Sequence, residues 1–200
     1  MDGIVQQNDV GFLLGNFDLN LSNVEVDSIF SAKKIQGISN FEIKAKTAFE
    51  TNLEIAEPLI KNVRFQDVNM KTKGSFTEDS LLADFEISIA GSEKSTLVQE
   101  GRIAKDISQK ISNVSFTRFD FLSQESKFSL EKPFNIRFLN SDFGTDTLHL
   151  ISDADASFKF VIPYKTNEEI LAHFSGENFE IGLLQEITLG EMIEILSLMV

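Results

Sequence analysis

From Phe128 the chain reads FSLEKPFNIRF, and Phe128, Leu130, Phe134, Ile136 and Phe138 fall on every second position, interrupted only at Lys132. The rhythm returns in TDTLHLI, where Leu148 and Leu150 flank His149. It returns again in ADASFKFVI, where Ala154, Ala156, Phe158, Phe160 and Ile162 alternate with Asp155, Ser157 and Lys159. Successive side chains of a strand point to opposite faces, so a period of two puts all the apolar groups on one side. A face built this way must be covered by something. That requirement constrains the fold more than any other feature of the sequence.

The same period runs through most of the chain. NFDLNLS (Phe17, Leu19, Leu21), NFEIKAK (Phe41, Ile43, Ala45), NVRFQ (Val63, Phe65), DVNMK (Val68, Met70), DFEISIAG (Phe85, Ile87, Ile89) and NVSFTRFDF all read as strands. Turn-forming clusters at Ser39-Asn40, Glu78-Asp79-Ser80, Gly91-Ser92 and Asn140-Ser141-Asp142 suit consecutive antiparallel hairpins. No strand–helix–strand rhythm appears. The expected fold is all-β: an elongated, amphipathic, mostly antiparallel sheet that stays half-open as a trough.

Two stretches depart from this period near the C-terminus. NEEILAHF (Asn167 to Phe174) begins with an N-cap residue and two acids, and competes with a strand through Leu171 and His173. Leu183 to Val200 places Met192, Ile195, Leu196 and Met199 on one helical face. Short helical pieces are therefore expected there. No Pro/Gly/Ser linker or charge block divides residues 1–200, which read as a single β-rich unit.

Eighteen basic against thirty-one acidic residues leave a net charge of −13, which opposes a phosphate backbone, so no nucleic-acid partner is expected. With no cysteine, disulfides, zinc–thiolate sites and cysteine nucleophiles are excluded. The chain has no HExxH, GxSxG or GxxxxGK[ST] motif, and His149 and His173 stand apart, so neither an enzyme nor a cofactor is expected. Asp153 and Asp155, on one face of a strand, could hold a cation with Asp142 or Asp146, but solvated outward carboxylates explain them better. The aromatic set is nineteen Phe, one Tyr and no Trp. Such rings give apolar bodies without polar tips, which suits a lipid-facing lining or an ordinary core more than a sugar- or protein-binding surface.

The succession LLGNFDLNL, EPLIKNVRFQDVNMKTKGSFTEDSLLADFEISIAG, LVQEGRI and FSLEKPFNIRFLNSDFGTDTLHLISDADASFKF resembles the translocation and assembly module (TamB-like) family, related to AsmA-like proteins. The likeness lies in short strands ending in G-x-L steps and in phrases of the type Leu-x-x-Pro-apolar-x-apolar. It implies a middle segment of a bridge between the two membranes of a diderm bacterium, with an apolar groove supporting phospholipid transport and outer-membrane biogenesis. It further implies a periplasmic location, an inner-membrane anchor on a segment not present in this chain, and an outer-membrane β-barrel partner met through regions outside it. The groove lining would be Phe128, Leu130, Phe134, Ile136, Phe138, Leu148, Leu150, Phe158, Phe160 and Ile162, with phospholipid acyl chains as cargo. In such a trough, arginine at position 158 or 160 would snorkel to water and leave the fold intact. The alternative is a closed β-sandwich serving as a binding or adhesion module, whose faces cover each other.

Overall fold

The structure is a computed structural model and describes residues 2–7, 13–26, 30–44, 46–60, 63–91, 95–123, 126–139, 142–153, 155–163 and 172–178. All regular structure among them is β. The strands are β1 (Asp2–Gln7), β2 (Leu13–Val26), β3 (Phe30–Ile43), β4 (Thr47–Ala56), β5 (Leu59–Ile60), β6 (Val63–Phe76), β7 (Ser80–Gly91) and β8 (Thr96–Asp106). They continue as β9 (Ile111–Ser123), β10 (Ser126–Leu130), β11 (Phe134–Leu139), β12 (Asp142–Thr145), β13 (Leu148–Ser152), β14 (Ser157–Val161) and β15 (His173–Glu177).

All fifteen belong to one antiparallel sheet, in which most chain neighbours are sheet neighbours, while β4 also pairs β6, β10 pairs β13, β11 pairs β9 and β12, and β5 pairs β3 and β6. The short strands are pieces of longer, kinked ones. β5 continues β4 past Glu57, at φ 50°, and Pro58. β10 and β11 lie in succession along β9, separated by Glu131, Lys132 and Pro133. Proline has no N–H to give the ladder, so it marks both interruptions. Where Pro58 breaks the β4 ladder, its carbonyl still accepts the Phe65 amide at 2.9 Å.

The register aligns side chains into ranks across the sheet. One rank runs Leu21, Ile35, Ile55, Val68, Ile89, Leu97, Phe121 and Phe128 through eight strands. The opposite face carries Glu50, Lys73, Asp84 and Arg102 in a rank of alternating charge. A one-residue bulge keeps this order in β9. Glu100 pairs with Arg118 and Gly101 with Phe116, so Thr117 is extra, and the inward set changes from Val114 and Phe116 to Phe119 and Phe121.

Glycine opposite phenylalanine recurs along the ladder: Gly15 with Phe41, Gly74 with Phe49, Gly91 with Phe65, Gly101 with Phe85 and Gly176 with Phe158. The ring fills the space that the glycine leaves, and glycine lets the strands bend sharply at that point. A Cβ at Gly15 would lie 1.9 Å from the Phe41 ring. These pairs are the sequence-encoded source of the sheet's curl.

The curl corrects the expectation of a half-open trough. The sheet closes into a barrel round its apolar face, and inner side chains from β7 to β14 meet in one core. Within it Phe116 packs edge-on to Phe85, with ring centroids 5.6 Å apart, and stacks on Phe134 at 5.9 Å. An apolar face left open to water would not bury Phe128 and Leu150 to 1% exposure. The hydrogen-bonded path starts at β1 and ends at β15, and among the described residues no ladder joins those two. A sandwich of two facing sheets is not what forms either.

The C-terminal helices are also not found among the described residues. His173 and Phe174, the end of the first expected helix, lie in β15, where Phe174 pairs with Phe160. Residues 164–171 and the second helix, Leu183–Val200, lie outside the described residues. The turn expected at Ser39-Asn40 is instead mid-strand in β3, where Ser39 Oγ and Thr51 Oγ1 hydrogen-bond at 2.9 Å.

Candidate functional site: the apolar interior

Nine of the ten residues proposed from the sequence as a lining come together in one inner cluster, and the tenth, Ile162, is buried without being part of it. Phe128, Phe134, Ile136, Leu148, Leu150, Phe158 and Ile162 are buried, and Leu130, Phe138 and Phe160 are partly buried against the same cluster. β10 and β11 supply five of them, β13 two and β14 two, with Ile162 just beyond β14. Leu148 faces Phe160 and Leu150 faces Phe158 across the β13–β14 ladder. They pack on one another, which makes this part of the interior a solid core.

The same face behaves differently towards the N-terminus. Phe17, Leu21, Ile43 and Phe76 occupy inner positions, yet remain 42%, 39%, 41% and 45% exposed. Phe17 packs on Phe41 with ring centroids 6.1 Å apart, and Phe49 on Phe76 at 6.4 Å. No charged residue occupies an inner position in the ranks spanning Leu13–Leu21, Ile35–Ile43, Thr47–Ile55 and Val68–Phe76. The interior therefore grades from accessible at β2–β6 to filled at β7–β14. Sequence reasoning concentrated on the filled end and missed the accessible one, although its period-two signal was equally present.

The outer face holds a shallow concavity of about 670 Å³ over β4, β6, β7, β8 and β9. Its charges are matched within the wall: Arg102 Nε lies 2.6 Å from Asp84 and Arg118 Nη1 2.7 Å from Glu100, while Lys73–Glu50 and Lys71–Glu86 are 3.7 Å apart. Exposed pairs of this kind add little stability each. On β13, His149 Nδ1 lies 2.5 Å from Glu131 Oε2 on the outer side of the kink. Among the described residues, no three His, Asp or Glu side chains are placed to hold a metal ion. Asp146 accepts instead from Asn135 Nδ2 at 2.6 Å.

Asp120 is the half-buried exception on this face. Burial raises its carboxyl, but hydrogen bonds from Ser129 and Arg118, with the charges of Lys127 and Arg118, outweigh that and hold it below the usual carboxylate value. A group lowered in the folded state contributes stability above its unfolded value of about 3.9, and that stability disappears as pH falls through the folded value. Asp120→Asn should therefore flatten the acid limb of a melting-temperature profile below about pH 4. An unchanged acid limb would remove Asp120 from the account.

Among the described residues no helix is long and apolar enough to cross a membrane. In comparisons with known proteins, no family model, no curated protein and no solved structure matches the chain.

Proposed function

We propose that this chain is a lipid-handling segment of the translocation-and-assembly-module kind, carrying phospholipid acyl chains on the inner face of its barrel. The observation that carries the reading is the uncharged, mostly apolar inner face of β2–β6, which remains partly accessible. Soluble proteins rarely leave such a face partly uncovered without a partner for it. The self-paired outer face fits a wall that meets water. In this reading the chain has no catalytic step and works in the periplasm, within a longer bridge between two membranes. It supports phospholipid transport and outer-membrane biogenesis, while the inner-membrane anchor and the contact with an outer-membrane β-barrel protein belong to other segments.

Vesicles of pyrene-labelled phosphatidylcholine test the reading. Extraction of lipid into the protein separates pyrenes, so excimer emission should fall and monomer emission rise in proportion to added chain. Emission that does not change, with the protein folded and in excess over lipid, would refute it.

A further inference from the structure

We infer that the acyl-chain site of this chain is the inner face of β2, β3, β4 and β6 alone, and that the Phe-rich interior of β7–β14 is a plug that lipid does not enter. The inference rests on the lipid-handling reading and adds to it the location, the extent and a closed end.

Three observations carry it. The clustered inner side chains of β9, β10, β11, β13 and β14 are already in mutual contact, with Val114 fully buried and Phe128, Leu150 and Phe158 at 1–3% exposure, so they offer a ligand almost no exposed surface. The inner positions of β2–β6 have no charge, and two of their hydroxyls, Ser39 and Thr51, are satisfied by each other. A protein partner usually brings a polar rim that needs hydrogen bonds, and this face offers few. An acyl chain needs none.

The third observation is length. The three inter-strand steps from β2 to β6 span about 14 Å at a spacing of about 4.8 Å. One leaflet of a hydrocarbon core about 30 Å thick is about 15 Å deep. The accessible face is thus about one phospholipid tail long across the strands. Leu13, Phe17, Leu21, Ile43 and Phe76 are its exposed inner members, and Phe85 of β7, at 5% exposure, begins the filled interior.

The chain has no cysteine, so one introduced thiol marks one place. Phe17→Cys, Phe160→Cys and Ile38→Cys, each alkylated with benzophenone maleimide, place a photolabel on the accessible inner face, at the plug and on the outer face respectively. Each is irradiated with vesicles of phosphatidylethanolamine and phosphatidylglycerol, and adducts are identified by mass spectrometry. The expected result is phospholipid adducts at position 17, at least tenfold above those at positions 160 and 38. Adducts predominantly at position 160 would overturn the plug while leaving the lipid reading intact. Crosslinks from position 17 to a second copy, or to residues 183–200, would overturn the occupant in favour of protein. If no position yields lipid and the pyrene assay is also negative, the lipid reading fails with it. Circular dichroism of each labelled variant, matching the unsubstituted chain, establishes that the label reports on the folded protein.

Discussion

Phe158→Arg should abolish cooperative folding, whereas Phe17→Arg should leave the fold in place. Phe158 is 3% exposed and sits between Leu150 of β13 and Gly176 of β15, inside the shared core. Among the described residues a guanidinium there has no acidic partner on the inner face, and the side chains packed round it separate it from water. Burying it costs several kcal/mol, against a total stability of about 5–15 kcal/mol for a typical domain. The trough expected from the sequence would have let this arginine snorkel; the filled barrel does not. Phe17 is 42% exposed and its replacement can reach solvent, so only lipid binding should suffer. Urea titrations followed by circular dichroism would check the pair. A Phe158→Arg chain that unfolds with unchanged midpoint would show that the interior is not solid.

The second large effect is expected at Gly101. A Cβ there would lie 2.1 Å from the Ser115 carbonyl oxygen and 2.7 Å from the Phe85 ring. The backbone contact cannot be relieved by rotating a side chain, and Gly101 sits at the bulge that resets the inward phase of β9. Gly101→Val should therefore cost at least the ~1–3 kcal/mol of an overpacked core, and it should also shift the β8–β9 register. Gly37→Ala is the control. Its Cβ would meet Leu53 at 3.1 Å and the Asn52 carbonyl at 3.2 Å, contacts that a few tenths of an ångström would ease. Equal unfolding midpoints for the two variants would count against glycine as the source of the curl.

Much of this architecture was legible because period two is a local signal. Each half-pattern, such as Phe85-Ile87-Ile89 in β7 or Phe128-Leu130 in β10, fixes which side chains share a face without knowledge of the neighbours. The phase change in NVSFTRFDF, from Val114 and Phe116 to Phe119 and Phe121, even marks the bulge. Curvature was not legible in the same way. It arises where a glycine in one strand meets a phenylalanine in the next, and Gly74 and Phe49 lie 25 positions apart until the register pairs them. The division into accessible and filled interior likewise depends on how far the sheet has rolled up. Phe17 and Phe128 have similar surroundings in the sequence and very different exposure in the fold.

Turn chemistry misled where it stood alone. Ser39 and Asn40 are turn formers, yet in β3 they pair with Thr51 and Glu50, and the adjacent Phe41 and Ile43 hold the strand by packing. Glu78-Asp79-Ser80 does turn, because Thr77 donates to the Ser80 carbonyl at 2.8 Å and no apolar alternation crosses it. NVRFQ and DVNMK belong to one strand, β6. An irregularity at Gln66, between the paired positions Phe65 and Asp67, separates their phases.

Native mass spectrometry of the chain, purified from a bacterial host without added detergent, tests the central claim most directly. The account predicts a population heavier than the bare 22.4 kDa chain by the mass of one phospholipid, lost on collisional activation and reduced in Phe17→Arg. A folded chain observed only at its bare mass, both as purified and after incubation with phosphatidylethanolamine vesicles, would contradict it.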